Sequence, residues 1–521
     1  MSDYPMLISN KLHSFRNFKE QNSQLKIGIV LNYVNLVLGG LVPLLYTPIM
    51  LKILDTEEYG LYKLSASITS YLALITFGLG AAITRYLIKA RTEQGEEEER
   101  AVLALFIVIF RIVAVLALIG GGTLSLCLPL WYSESISAEE LIRMQWLVIL
   151  MSFNTAINFI ASPYVSIVNA HERFLFLQSM AIISTILAPC LNLVALLWGY
   201  ASIGLAVSSI LSTVLFRLLF WIYVRRTMRI KPLYKRMPKE YIVDVISFSF
   251  WIFVSNIGSQ LYEATDSALI GAVPALATTG LAIYSVGMIL CSMINTINAG
   301  ISSMLVPKAN KMVFNGASTD ELTNTGIRVG RIQALIIALF IFGFITFGRE
   351  FVYFYVGEDY AISYWIAVVC MIPISIPLVQ SFFLNIIIAR NENRFRALTY
   401  LLVALINVVA TWYMMKWIGV FGAALATSIA NFIGPGLIMN WFYKKHIRLQ
   451  IGRFWRSLLN VYFVPSILAA LFLFLGKYIN YYHIPYFIGG IFVFFMLYVS
   501  LQWLFIMTDY EKKLMKGLIN R

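Results

Sequence analysis

The stretch Ala101-Val-Leu-Ala-Leu-Phe-Ile-Val-Ile-Phe-Arg-Ile-Val-Ala-Val-Leu-Ala-Leu-Ile-Gly-Gly-Gly-Thr-Leu-Ser-Leu-Cys-Leu-Pro-Leu130 carries one charge, Arg111, and is apolar on every side. A helix needs about 20 apolar residues to cross a bilayer. A strand of a membrane barrel would alternate polar and apolar residues, so only a membrane-spanning helix suits this stretch. Working outward, the chain of 521 residues is 60% hydrophobic and 13% charged, with a mean hydropathy of +0.78. A soluble domain is nearer 45–50% and about 25%, so these figures exclude a soluble enzyme with a membrane anchor.

Apolar runs bounded by charge, Gly or Pro predict spans near 28–51, 62–84, 101–130, 141–169, 175–198 and 201–224. After a basic break they continue near 244–271, 279–306, 327–348, 361–389, 397–416, 420–443, 454–476 and 484–507. The expected architecture is all-α and polytopic, with about 14 transmembrane helices. The positive-inside rule tests the count. With the N-terminus placed in the cytoplasm, 32 of the 40 Lys and Arg fall in inner segments and 6 in outer ones, while Arg111 and Arg217 lie inside spans. Both termini are therefore expected in the cytoplasm. The net charge of +14 is topological, with attraction to membrane lipid as a by-product and no nucleic acid as partner.

The segment 1–26 is polar and basic with no apolar core, so the first span is expected to be uncleaved and the mature chain whole. Cys127, Cys190, Cys291 and Cys370 lie singly in apolar segments, suggesting neither a disulfide framework nor a metal site. No nucleotide-binding loop occurs, and no cofactor is expected beyond possible H⁺ or Na⁺ coupling.

The basic break Arg225-Arg-Thr-Met-Arg-Ile-Lys-Pro-Leu-Tyr-Lys-Arg-Met-Pro-Lys239 separates two halves that echo each other. Val168-Asn-Ala-His-Glu-Arg-Phe174 faces Ile388-Ala-Arg-Asn-Glu-Asn-Arg-Phe395, and Leu191-Asn-Leu-Val194 matches Ile406-Asn-Val-Val409. Ile203-Gly-Leu-Ala-Val-Ser-Ser-Ile210 matches Phe421-Gly-Ala-Ala-Leu-Ala-Thr-Ser-Ile429 with one gap. Tyr59-Gly60 and Gly80 recur 220 residues on, as Thr279-Gly280 and Gly300. Six spans per repeat put both halves the same way up, the usual build of an alternating-access transporter with substrate bound between them. The expected organisation is an N-lobe over 1–224, a cytoplasmic basic linker over 225–240, a C-lobe over 241–443, and an appended pair of spans with the C-tail over 444–521.

Polar stripes at helical spacing must face protein or water in a bilayer. Asn154 and Asn158 lie on span 4, Asn256 and Gln260 on span 7, Asn295 and Asn298 on span 8, and Asn385 on span 10. Helix-to-helix bonding explains any one stripe; together they suggest a hydrated cavity. Arg111 stands ten residues into span 3, about 15 Å deep, where it needs a partner, either a substrate phosphate gripped bidentately or a carboxylate such as Glu263. Arg217 lies near the inner end of span 6 and can snorkel, and Arg85 and Lys89 end span 2; all three are candidates for an anionic substrate. Glu263 and Asp266, one turn apart on span 7, are candidates for ion coupling, although Asp266 can also be read at the outer water boundary.

Pro43-Leu-Leu-Tyr-Thr-Pro-Ile-Met-Leu-Lys-Ile-Leu-Asp-Thr-Glu-Glu-Tyr-Gly-Leu-Tyr62, followed by Phe77-Gly-Leu-Gly80 and Arg85, resembles the N-terminus of the polysaccharide repeat-unit transporters of the multidrug/oligosaccharidyl-lipid/polysaccharide exporter superfamily. Asn391-Glu-Asn-Arg-Phe-Arg396 is similar to that family too. The resemblance implies a flippase that moves an undecaprenyl-pyrophosphate-linked oligosaccharide to the outer leaflet of a bacterial inner membrane for O-antigen, capsule or exopolysaccharide. It implies a polysaccharide polymerase or assembly proteins as partners. Two other readings stay open: a cation-coupled multidrug or toxin antiporter of the same superfamily, which usually stops at twelve spans, and a membrane-embedded glycan polymerase or ligase, for which the outer loops look short.

Overall fold

In a computed structural model, the described residues comprise the backbone of 4–519 apart from Met304 and Asn391. Side chains are described over 27–516, apart from those at 29, 81, 251, 255, 259, 262, 263, 303, 304, 306, 307, 391 and 393. The side chains of the expected basic tail over 1–26 and of Glu263 therefore lie outside the described residues.

The described chain is helical, and thirteen of its helices are long and apolar enough to span a membrane. The fourteenth expected span, 62–84, is not one helix. Helix α1 runs Tyr4–Leu54 and α2 runs Thr56–Ser70; a tighter 3₁₀ stretch, Tyr71–Thr76, separates α2 from α3, Leu79–Gln94. Phe77 (φ 48°) and Gly78 (φ 72°) are left-handed there. Gly78 is required twice over. Its φ favours glycine, and a Cβ on it would lie 2.7 Å from the Ser249 carbonyl oxygen and 2.8 Å from Ile252 Cβ. An apolar run reports lipid compatibility and is blind to such a backbone break.

The other spans follow as α4 (Glu96–Tyr132), α5 (Ala138–Ala170), α6 (Phe174–Leu197), α7 (Ala201–Ile222), α8 (Lys239–Gly271), α9 (Ala277–Ser303), α11 (Thr319–Val356), α12 and α13 (Ala361–Val379, Ser381–Ala389), α14 (Asn393–Ile418), α15 and α16 (Val420–Asn431, Met439–Lys445), α17 (Ile451–Leu475) and α18 (Ile484–Leu501). Short helices α10 (Leu305–Phe314) and α19 (Asp509–Ile519) complete the order. The narrow gaps before α7 and α15 are real breaks, held by Gly199 (φ 82°) and Gly419 (φ 62°). Capping boxes at Ser137 with Glu140 and Ser318 with Glu321 start α5 and α11 by satisfying end N–H groups. Pro435 lacks an N–H, and the helix passes it in a π-helical stretch, Phe432–Ile438.

The chain packs as two compact units, Met1–Gln260 and Leu261–Arg521, dividing within α8. The first unit thus takes in the basic segment after α7 and the start of α8, where the repeat pattern counts whole spans. Its core gathers Ile83, Leu87, Phe106, Phe110, Ile167 and Val224 from α3, α4, α5 and the π-helical stretch Tyr223–Thr227 that follows α7. In the second unit Phe347 of α11 is ringed by Phe472, Tyr481, Phe487 and Phe494 at centroid distances of 5.2–6.3 Å, all edge-on, a favoured aromatic geometry. This cluster fastens the appended pair α17 and α18 to the unit.

Candidate functional site

Matched hydrogen bonds accompany the repeats. In the first unit Ser208 of α7 donates to Asn192 Oδ1 of α6. In the second, Asn407 of α14 donates to Thr427 Oγ1 of α15 at 3.1 Å. The sequence match pairs Asn192 with Asn407 and Ser208 with Thr427, so each unit joins corresponding helices through the same kind of amide and hydroxyl. What stands beside that pair differs. At the 220-residue offset, Tyr46 in the first unit, close to Asn192, corresponds to Asp266 in the second.

Asp266 is 2% exposed, so the reading at the outer water boundary is corrected. Its carboxylate accepts hydrogen bonds from Tyr284 Oη (2.7 Å), Thr411 Oγ1 (3.1 Å) and Thr427 Oγ1. The oxygens come from α8, α9, α14 and α15, and Asn407 closes the cluster through Thr411 and Thr427. A buried carboxylate is stable only when paired or hydrogen-bonded; here hydroxyls do the bonding, and no cationic side chain bonds to it among the described residues. An oxygen cluster of this kind can hold a proton or a hard monovalent cation. The sequence singled out Asp266 but missed Tyr284, Thr411 and Thr427, which reach it from 18 to 161 residues away.

A second site lies wholly within the first unit, a cavity of about 350 Å³ between α2, α5, α7 and the middle of α8. It brings together two expected residues, Asn154 and Gln260, with Tyr62, Thr69, Ser70 and Ser209. Gln260 donates to Ser70 Oγ, and Tyr62 lies close to Ser209. Asn154 Oδ1 is buried with no hydrogen-bond partner among the described residues. The α2 residues were missed, yet Tyr62, Ala66, Thr69 and Ala73 recur every three to four positions, a small and polar face that the sequence shows.

Below this cavity on the same face of α5, Asn158 Oδ1 accepts from Arg217 Nε (2.9 Å) and Nη2 (2.7 Å), and Asn158 Nδ2 donates to the Asn154 carbonyl (3.0 Å). Arg217 is thus half-buried and held by an amide. Arg85 is exposed and stacks over the Phe248 ring at 4.1 Å, while Lys89 is exposed one turn further along α3. Arg111 is exposed on a stripe of α4 shared with Val108, Ile112 and Val115. It is not brought to the cavity of the first unit.

Asn256 and Asn295 are exposed and Asn385 is half-buried. Asn298 is buried between helices, donating to Ser302 Oγ at 3.1 Å and accepting from Gln333 Nε2 at 2.7 Å; Gln333 also reaches Ser381 Oγ at 2.8 Å. Groups of three or more His, Cys, Asp or Glu able to hold a metal ion are absent among the described residues.

The family model described as "Polysaccharide biosynthesis protein" matches residues 27–313. The chain belongs to that family. No curated protein sequence matches it significantly. Among solved structures, its fold is similar to the lipid II flippase MurJ in an inward closed conformation, with a TM-score of 0.71 and 16% identity over 92% of this chain and 98% of that one. It is also similar to an inward-facing multidrug resistance MATE family transporter of the MOP superfamily (TM-score 0.59, 13% identity, 78% and 97% coverage). A MOP superfamily transporter from Pyrococcus furiosus, titled for the reverse polarity of its binding pocket, gives 0.55 with 13% identity over 85% and 96%. The chain is therefore a multi-pass membrane protein of the polysaccharide biosynthesis family with a fold similar to those of MurJ and the MATE transporters.

Proposed function

We propose that this protein is an alternating-access flippase that carries an undecaprenyl-pyrophosphate-linked oligosaccharide from the cytoplasmic to the outer leaflet of a bacterial inner membrane, driven by an ion bound at Asp266. The observation that carries the reading is membership of a polysaccharide biosynthesis family by a chain with a transporter fold. A lipid-linked glycan is the form in which such a substrate crosses a bilayer without leaving it.

The polymerase or ligase reading loses support. On the side that the charge rule makes the outer one, the longest connection between described helices is 476–483, too little chain to grip a glycan and position a reacting bond. The multidrug antiporter reading shares the buried carboxylate, since either transporter can be cation-coupled, but gains nothing from the family match.

The test uses purified protein in proteoliposomes with a fluorescent polyprenyl-pyrophosphate oligosaccharide. The native protein should move the probe between leaflets, faster under an imposed proton or Na⁺ gradient, and should leave a lipophilic drug cation such as ethidium in place. Export of ethidium with no movement of the glycolipid would replace this reading with the antiporter.

A further inference from the structure

We infer that the cavity of the first unit is a binding site for an uncharged sugar residue, separate from whatever holds the anionic part of the substrate. The inference rests on the flippase reading and names the portion of the substrate this cavity takes.

Three observations on the cavity carry it. The first is charge. Its described lining offers hydroxyls and carboxamides from Tyr62, Thr69, Ser70, Asn154, Ser209 and Gln260, with alanines and Met151 between them, and no charged side chain. A pyrophosphate or a drug cation placed there would be desolvated without a counter-charge, which a low-dielectric interior penalises heavily. A neutral polyol meets no such penalty.

The second is an acceptor without a donor. Asn154 Oδ1 is buried and no protein group among the described residues bonds to it, whereas its neighbours are engaged: Gln260 with Ser70, and Thr69 with the Ser65 carbonyl at 2.7 Å. A buried acceptor in this position selects a ligand that brings an O–H or N–H. A sugar hydroxyl or an N-acetyl amide supplies one.

The third is shape. Ala66, Ala73 and Ala206 leave space where larger residues would close it, and the α2 face ends at the 3₁₀ turn that Gly78 permits. At about 350 Å³ the cavity falls at the small end of the range, about 300–1,000 Å³, that small-molecule sites occupy. One or two sugar rings fit; a repeat unit does not. Sugar rings present apolar C–H faces edged by hydroxyls, which suits small apolar side chains interleaved with amides.

The experiment measures binding to the full chain in lipid nanodiscs by native mass spectrometry. Three probes are used: a polyprenyl pyrophosphate carrying a neutral N-acetylhexosamine-containing trisaccharide, the same lipid pyrophosphate without sugar, and the free trisaccharide. The native protein should prefer the glycosylated lipid over the bare one by about tenfold, the worth of one or two hydrogen bonds made in a buried site. Ala66→Leu, which fills the cavity, and Asn154→Ala, which removes the acceptor, should each erase that preference, with elution profile and thermal unfolding confirming that the variants fold.

Equal binding of the glycosylated and bare lipids by the native protein overturns the sugar site, as does a preference that survives both substitutions. If neither lipid binds, the flippase reading is what fails. The free trisaccharide then decides the cavity by itself: binding lost in Ala66→Leu sustains the sugar site, and no binding overturns it.

Discussion

Arg331 and Glu511, 180 residues apart, form a buried bidentate ion pair, Nε to Oε1 at 2.7 Å and Nη2 to Oε2 at 3.1 Å. The same guanidinium donates to the Ser457 and Ile506 carbonyls at 2.8 and 2.9 Å, so one side chain of α11 ties down α17, the π-helical stretch Gln502–Ile506 that follows α18, and α19. Planar forked donors suit this work as an ammonium does not. Removing one partner of such a pair costs about 3–5 kcal/mol because the other charge is left buried. Arg331→Ala should lower the unfolding temperature and, by loosening α19, speed tryptic cleavage after Lys512 and Lys513, while Arg331→Ala with Glu511→Ala should recover part of the loss. Unchanged trypsin resistance in the single variant would refute the tie.

Gly78 makes a second prediction about stability. A left-handed non-glycine residue costs about 1–3 kcal/mol, and a Cβ at Gly78 also meets the Ser249 carbonyl oxygen and Ile252. Gly78→Ala should therefore lower the yield of folded protein and its unfolding temperature far more than Gly80→Ala, where a Cβ meets nothing within 4 Å. Fluorescence-detected gel filtration after graded heating compares the two, and equal stability would sink the requirement.

Arg217 and Asn158 permit a test of structural against substrate-binding roles. Asn158→Ala deprives the half-buried guanidinium of its two bonds and should cost about 1–3 kcal/mol. Asn158→Asp gives it an anionic partner and should keep or raise the unfolding temperature. If Arg217 also serves an anionic substrate, Asn158→Asp should nonetheless slow glycolipid transport by neutralising it; full transport by the stable Asp variant would leave Arg217 a structural residue.

Ion coupling separates two carboxylates. Asp266→Asn preserves the size of a side chain whose oxygens accept from Tyr284, Thr411 and Thr427 but removes its capacity to exchange a proton or hold a cation. In proteoliposomes it should abolish acceleration by a gradient while leaving slow exchange. Glu263→Gln is the matched comparison: retention of the gradient response in Asp266→Asn and its loss in Glu263→Gln would move the coupling to Glu263.

Orientation follows from the distribution of basic residues. Reporter fusions after Lys239 and at the C-terminus should both report the cytoplasm. A C-terminal reporter on the outer side would break the even count of spans.

The sequence made the spans legible because twenty apolar residues in a row have few other fates. It also suggested a duplication, through Asn192 and Asn407 and the residues beside them. The broken second span was hidden, because Tyr71 to Gly78 is as apolar as its surroundings and only the backbone angles of Phe77 and Gly78 disclose the turn. Asp266 stood out as a rare intramembrane acid, but its hydroxyl shell gathers from four helices whose packing no local pattern reports. The cavity was half visible, through Asn154 and Gln260, and half obscured, because alanines and threonines at helical spacing on α2 look like ordinary packing.

The contrast between α6 and the broken second span has an evolutionary consequence. On α6 the side chains of Leu175, Ile183, Ile186, Cys190, Val194 and Leu197 are exposed, so those positions ask only for hydrophobicity, and one apolar residue can replace another there without penalty. The interrupted span allows no such freedom: its non-helical backbone is tolerated at membrane depth only inside protein or against water, and its glycine has a carbonyl at its back. Descendants of this sequence should accumulate neutral drift on α6 and almost none around residue 78, so that the rate of change along the chain would itself trace which helices greet the lipid.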